Sequence, residues 1–363
     1  MKIINNFTFL VAILLLLGVG LVACQNEAPS TPDQSEEHPS APAVDESSKA
    51  SVKAPFLVEP EEVKAMLESE NPPAVIEISK AEKFEAGHLP GAVNFWRPDY
   101  ENKDLEYGGM RAPRENMAKL LGDNGISGDR EIIIYDTKGS VDAIRFTWIL
   151  DLYGHDKMRV MNGGKKAWEA AGFSLTTDPA PAVTPVEFTF AGPQKTNRLA
   201  SFEDMLAAVN DPNVIILDTR EPEEYKGVPY IDKGKVNPWK KGAFTFGRIK
   251  GSKHLNWSDA VDLNGDHRFK SIKDLKYNFE QAGITPDKTI IAYCQSGVRS
   301  SHTTYVLTEI LGYPNVKNYD GSWIEWSYNY TQNGDVEIER DISEEEHAKM
   351  LADLEAQVNK KEQ

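Results

Sequence analysis

The sequence has 363 residues, with 40 Lys and Arg against 56 Asp and Glu for a formal net charge of −16, and 40% of its residues are hydrophobic. That length fits two ordinary domains and that composition supplies packed cores, so disorder throughout is excluded. The acidic balance excludes a free-standing nucleic-acid binder, and a complement of two cysteines, Cys24 and Cys294, excludes a disulfide framework and a thiolate zinc site.

In chain order, residues 7–22 form an apolar run after Lys2 and lead into Leu21-Val22-Ala23-Cys24. An apolar run of this length ahead of a small residue predicts a secretory signal over residues 1–23 rather than a spanning helix. The four residues ending at Cys24 resemble the bacterial lipobox, which implies that Cys24 is lipidated and that the body is anchored to a membrane of the cell envelope, facing outward. An uncleaved anchor helix, or an ordinary signal with an incidental cysteine, is the alternative. Residues 24–54 are rich in Pro, Ser and acidic residues and read as a flexible tether.

The body then repeats itself. The first copy, residues 55–178, has an apolar strand at 74–78, Gly87 through Ala92, and a second apolar strand at 132–136. A Gly-containing loop, a helix near 142–153, and Asn162-Gly163-Gly164 ahead of Trp168 complete it. The second copy, residues 197–331, has a strand at 214–218, Gly247 through Ser252, and a strand ending at Cys294. Another Gly-containing loop, a helix to about Leu311, and Val316 through Gly321 ahead of Trp323 follow in the same order. Short β-branched runs alternating with helical stretches predict an α/β fold, each copy a parallel sheet flanked by helices. Residues 177–196, rich in Pro and Thr, read as the linker between them. The acidic tail, 332–363, contains a capping-box pattern of Ser343 with Glu346 and an amphipathic stripe of Met350, Leu351, Leu354 and Val358.

Asp136 and Cys294 occupy corresponding strand ends, where ligands sit in such sheets. The loop Cys294-Gln295-Ser296-Gly297-Val298-Arg299-Ser300 opens a helix, so its backbone N–H groups and the helix dipole converge on the sulfur. Those features lower a thiol's pKa and suit a nucleophile.

On this loop, on Leu217-Asp218-Thr219-Arg220-Glu221, and on Asp320-Gly321-Ser322-Trp323-Ile324-Glu325-Trp326, the body resembles the tandem-domain rhodanese family, sulfurtransferases of the thiosulfate or 3-mercaptopyruvate type. The resemblance spans residues 56–330. It implies that Cys294 takes a sulfane sulfur from a small anionic donor, holds it as a persulfide cradled by Gln295, Ser296, Gly297, Val298, Arg299 and Ser300, and passes it to cyanide or a thiol. It implies no cofactor and no metal. It also implies that the first copy, with Asp136 in the cysteine position, is catalytically silent. Arg299 comes one residue earlier than in phosphatases that use a Cys-x5-Arg loop, which argues against phosphate chemistry.

Two departures bear on the donor. Gln295-Ser296 matches neither the basic pair of thiosulfate enzymes nor the Gly-Ser of mercaptopyruvate enzymes, although Ser296 with His88 would suit the latter. Family members often place a second Arg four residues beyond Arg220, and here that position is Glu224, which would repel an anion if it faced the site. Between Lys226 and His254, eight cations stand against the single Asp232, in a long loop that includes Lys240, Lys241 and Arg248. This loop is expected to border the site and steer anionic donors, with Asp218 and Arg220 either binding substrate or forming a structural pair. Trp323 and Trp326 are expected in the core. A non-enzymatic persulfide relay in the envelope is the rival reading.

Overall fold

The computed structural model describes residues 52–361. The expected signal, Cys24 and most of the tether lie outside the described residues. Strands β1 (Leu57–Val58), β2 (Ala74–Ile78), β3 (Ala92–Phe95), β4 (Ile132–Asp136) and β5 (Met158–Met161) form a parallel sheet in the order β1-β5-β4-β2-β3. Helices α1 (Pro60–Leu67), α2 (Ala81–Glu85), α3 (Arg114–Asp123), α4 (Val141–Leu152) and α5 (Gly164–Ala170) punctuate it. In both β2 and β4 every residue is buried, as unbroken apolar runs in a doubly covered parallel sheet require.

The second half carries β6 (Leu199–Ala200), β7 (Val214–Asp218), the hairpin β8 (Tyr230–Asp232) and β9 (Lys235–Asn237), β10 (Arg248–Ile249), β11 (Lys253–His254), β12 (Thr289–Tyr293) and β13 (Val316–Tyr319). Its main sheet has the order β6-β13-β12-β7-β11, again all parallel. Its helices are α6 (Phe202–Ala208), α7 (Pro222–Lys226), α8 (Ile272–Gln281), α9 (Val298–Tyr305) and α10 (Ser322–Gln332). The α9 helix ends short of the expected Leu311 and continues as a wider turn in which Leu311 N–H donates to the Val306 carbonyl at 3.0 Å.

The repeat extends to individual hydrogen bonds. Tyr135 Oη donates to Glu77 Oε2 at 2.6 Å and accepts from Leu89 N–H at 2.9 Å. Tyr293 Oη donates to Asp218 Oδ2 at 2.6 Å and accepts from Ile249 N–H at 3.1 Å. Each sheet thus buries the same tyrosine and acid between its two central strands, fixing their register.

The linker is packed rather than free. Phe188 and Phe190 are buried, and Arg114 donates to the carbonyls of Phe190 and Gly192. The two copies meet through α4 and α9. Every residue of α4 is buried, so its eight apolar residues pack into the core and its charged ones, Asp142, Arg145 and Asp151, each need a partner. Arg145 of α4 crosses the junction to Asp320, with Nη1 2.6 Å from Oδ1 and both side chains about 2% exposed or less. Arg111 Nη1 meets the other carboxylate oxygen at 2.6 Å. A buried carboxylate is tolerable only with such partners.

The tail docks on the second copy. Strand β14 (Ile338–Glu339) pairs antiparallel with β10. Helix α11 (Glu344–Lys361) opens with reciprocal bonds between Ser343 and Glu346, as the capping box predicts. Its inward stripe consists of His347, which is buried, and the half-buried Leu351, Leu354 and Val358, whereas Met350 is exposed. Among the described residues no helix is long and apolar enough to cross a membrane.

Replacing Arg145 by Met leaves Asp320 buried with one cation fewer. The expected loss of stability is about 3 kcal/mol, read as a lower urea midpoint with an unchanged slope.

Candidate active site

The order of each sheet reverses direction between its two central strands, β4 and β2 in the first copy and β12 and β7 in the second. That switch point leaves a crevice at the strands' carboxyl ends, and Cys294 follows β12 directly into it. Gly297 curls the loop with φ of 75°; a Cβ there would lie 2.8 Å from both Arg145 Nη1 and the Asp320 carbonyl oxygen, so only glycine fits. Ser322, itself at φ 52°, accepts the N–H groups of Cys294 and Gly297 on Oγ at 3.1 and 3.0 Å. The Cys294 and Gln295 carbonyls accept from Trp323 and Ile324 N–H. The loop is therefore held from behind by the amino terminus of α10.

Burial pushes the Cys294 thiol up, but the Arg299 guanidinium, the Ser300 hydroxyl at 3.6 Å and the N–H groups of Ser300 and Ser296 outweigh it, and the net shift is downward. The first copy shows the same kind of cradle with an anion already inside. Asp136 Oδ1 accepts from Lys138 and Ser140 N–H at 2.8 and 3.0 Å, and Oδ2 from Asp142 and Ala143 N–H at 2.8 and 3.1 Å. Burial and the nearby Asp142 carboxylate nonetheless push Asp136 up to about 6.

Cys294 lines a cavity of about 390 Å³ shared by both copies, with Arg97 and Lys138 on one wall and Lys240, Lys241 and Arg299 on the other. Glu224 does not repel ligands there: it grips Arg299 through two bonds, at 2.6 and 2.9 Å. Burial raises its pKa, and Arg299 more than reverses this, bringing it down to about 2. The pair's stabilisation is thus present above the ordinary carboxylate range and is lost as pH falls through about 2. Arg97 is similarly tied to Asp142, and Lys138 lies over the Trp257 ring. Lys240 and Lys241 make no ion pair among the described residues. Gln295 Nε2 donates to both of their carbonyls, at 3.3 and 3.2 Å.

Four residues considered for substrate contact lie elsewhere. Asp218 and Arg220 form a fully buried pair, closed by the Gly247 carbonyl and by the Tyr293 and Trp323 rings. Arg248 stacks on Tyr225 and pairs with Glu339 and Asp341 of the tail. His88 stacks on Phe84, with Nδ1 2.9 Å from the Phe84 carbonyl oxygen; it is the first-copy counterpart of Arg248 and forms no link with Ser296. Trp323 and Trp326 are buried in the core as expected.

The rhodanese-like domain profile matches residues 59–171 and again 201–329. This chain belongs to the rhodanese family. Among curated rhodanese relatives, "Sulfur carrier protein TtuD" of Thermus thermophilus is 35% identical over 253 residues, 67% of this chain and 83% of that protein. "Thiosulfate sulfurtransferase" of Azotobacter vinelandii is 32% identical over 278 residues, 75% and 94% respectively. The solved anaerobic ergothioneine biosynthesis enzyme from Chlorobium limicola shares the fold, with a TM-score of 0.65 at 22% identity, covering 79% of this chain and 71% of that one.

The cross-domain contributions of Arg97, Lys138 and Arg145 were not picked out from sequence. Lys138 had one available signal: it lies two residues after Asp136, as Ser296 lies two after Cys294. Among the described residues no cluster of three or more His, Cys, Asp or Glu is placed to hold a metal.

The alkylation rate at Cys294 is expected to rise with pH through a midpoint below the free-thiol value of about 8.5. Ser300→Ala should move that midpoint up and Glu224→Gln, which frees Arg299, should move it down, each by about half a unit to one unit. Iodoacetamide labelling followed at the Cys294 peptide measures both.

Proposed function

We propose that this sulfurtransferase moves the sulfane sulfur of thiosulfate to cyanide or a small thiol through a persulfide on Cys294. The observation that carries the reading is a thiol of lowered pKa inside an anion cradle, lining a cavity in which five cations outnumber the three carboxylates Glu101, Asp142 and Glu221. The Cys294 thiolate attacks the outer sulfur of thiosulfate, the S–S bond breaks, and sulfite leaves with the bonding pair. The acceptor's lone pair then attacks the terminal persulfide sulfur, giving thiocyanate from cyanide and regenerating the thiolate. The N–H groups of Ser296 and Ser300 already face the Cys294 sulfur, which preorganises the loop for negative charge on the thiolate and on the persulfide that follows it.

The absence of a link between His88 and Ser296 favours thiosulfate over 3-mercaptopyruvate, because the proton path considered for the latter is not assembled. The name of the Thermus thermophilus relative favours a second reading, in which Cys294 relays persulfide to a partner protein. The lipobox-like segment supports attachment through Cys24 to an envelope membrane, with the catalytic body outside the cytoplasm.

Purified protein lacking the first 24 residues is expected to form thiocyanate from thiosulfate and cyanide, and Cys294→Ala to form none. Failure of wild type with both thiosulfate and 3-mercaptopyruvate, together with a one-sulfur mass increase at Cys294, would favour the relay. Charge reversal of Lys240 and Lys241 should raise the thiosulfate KM about tenfold and flatten its salt dependence, with a smaller change in kcat.

A further inference from the structure

The family match ends at residue 329, yet the chain continues into a segment that grips the loop bearing Lys240 and Lys241. Arg340 Nη2 donates to Thr245 Oγ1 at 3.0 Å and Nε to the Phe246 carbonyl at 3.2 Å, and its guanidinium lies 4.3 Å from the Phe246 ring centroid. His347 stacks on the same Phe246 ring, with centroids 3.9 Å apart and 9° between planes, and its Nε2 donates to the Pro238 carbonyl at 2.9 Å. The next residue's ring, Trp239, also faces His347, at 6.3 Å. Gly247 closes the approach, since a Cβ there would lie 2.7 Å from the Glu339 carbonyl oxygen. Both ends of the stretch 238–246 are therefore clamped from outside the family domain.

The stretch between those clamps faces the cavity. Lys240 and Lys241 line it, and their carbonyls receive the Gln295 amide of the cysteine loop. The family domain also anchors this stretch, through Gln295, through Ser327 Oγ on Phe244 N–H and through Trp323 Nε1 on the Thr245 carbonyl. The tail adds the bond at the Pro238 carbonyl and the cover of Phe246, which narrow the directions open to two long flexible cations. We propose that Arg340 and His347 are positioning residues: they hold Lys240 and Lys241 toward Cys294 and so set the affinity for an anionic sulfur donor. The proposal rests on the sulfurtransferase reading for its substrate but not for its geometry.

The test compares wild type, His347→Ala, His347→Gln and Arg340→Met in the body used for the activity assay with its tail intact. The expected result for His347→Ala and Arg340→Met is a thiosulfate KM raised about three- to tenfold with kcat within about twofold. His347→Gln, which keeps an N–H for the Pro238 carbonyl, should recover part of the loss. A second readout needs no turnover: the rate of Cys294 alkylation by anionic iodoacetate relative to neutral iodoacetamide should fall in the same variants, as it should when Lys240 and Lys241 are both replaced by Ala. An unchanged ratio in folded His347→Ala and Arg340→Met overturns the proposal, as does a fall in kcat at constant KM. Should His347→Ala fail to fold by circular dichroism, Arg340→Met decides by the same ratio. A wild type that makes no thiocyanate defeats the functional reading alone, because the alkylation ratio still reports the clamp.

Discussion

The Asp320 carboxylate governs how the two copies become one site. It is buried, it takes Arg145 and Arg111 from the first copy, and its backbone lies against Gly297. Arg145 Nη1 also reaches the Gly297 carbonyl at 3.4 Å, and Nη2 the Gly109 carbonyl at 3.2 Å. A low-dielectric setting makes such charge-assisted bonds strong and makes their loss costly. The first copy is thus part of the frame that keeps the cysteine loop curled.

The junction is approximately reciprocal. Arg111 N–H donates to Asp320 Oδ2, and Phe269 N–H donates to Asn162 Oδ1, where Asn162 is the first-copy counterpart of Asp320. Arg145 has as its counterpart His302, which is fully buried against Trp257 and Phe269 and is pushed down to about 3 by that burial. Two domains related in this way share scaffold bonds and differ in charge. The charged member of each differing pair, Arg145 and Asp320, supports the loop that carries the nucleophile.

The central strands of each copy and the cysteine loop were legible in sequence because each depends on local pattern: apolar runs, glycine at the curl, a helix start just after it. Ser343 with Glu346 was legible for the same reason. Charge partnership was not. Glu224 reads as an obstacle until its carboxylate is seen holding Arg299, and the sequence leaves Arg220 open between ligand and structural partner until Asp218 is seen closing on it. The cation-rich loop splits likewise: Lys250 pairs with Glu337 and Arg248 with Glu339 and Asp341, leaving Lys240 and Lys241 for the cavity. Net charge along a segment says nothing about which cations tertiary structure has already neutralised.

The filled cradle around Asp136 has a further consequence. Its carboxylate is bonded to the chain and satisfies four N–H groups that would otherwise attract any small anion. That loop is in effect self-ligated, whereas in the second copy the N–H groups of Ser296 and Ser300 are turned on the Cys294 sulfur. Of the two nests among the described residues, one is closed by its own carboxylate and the other is turned on a sulfur.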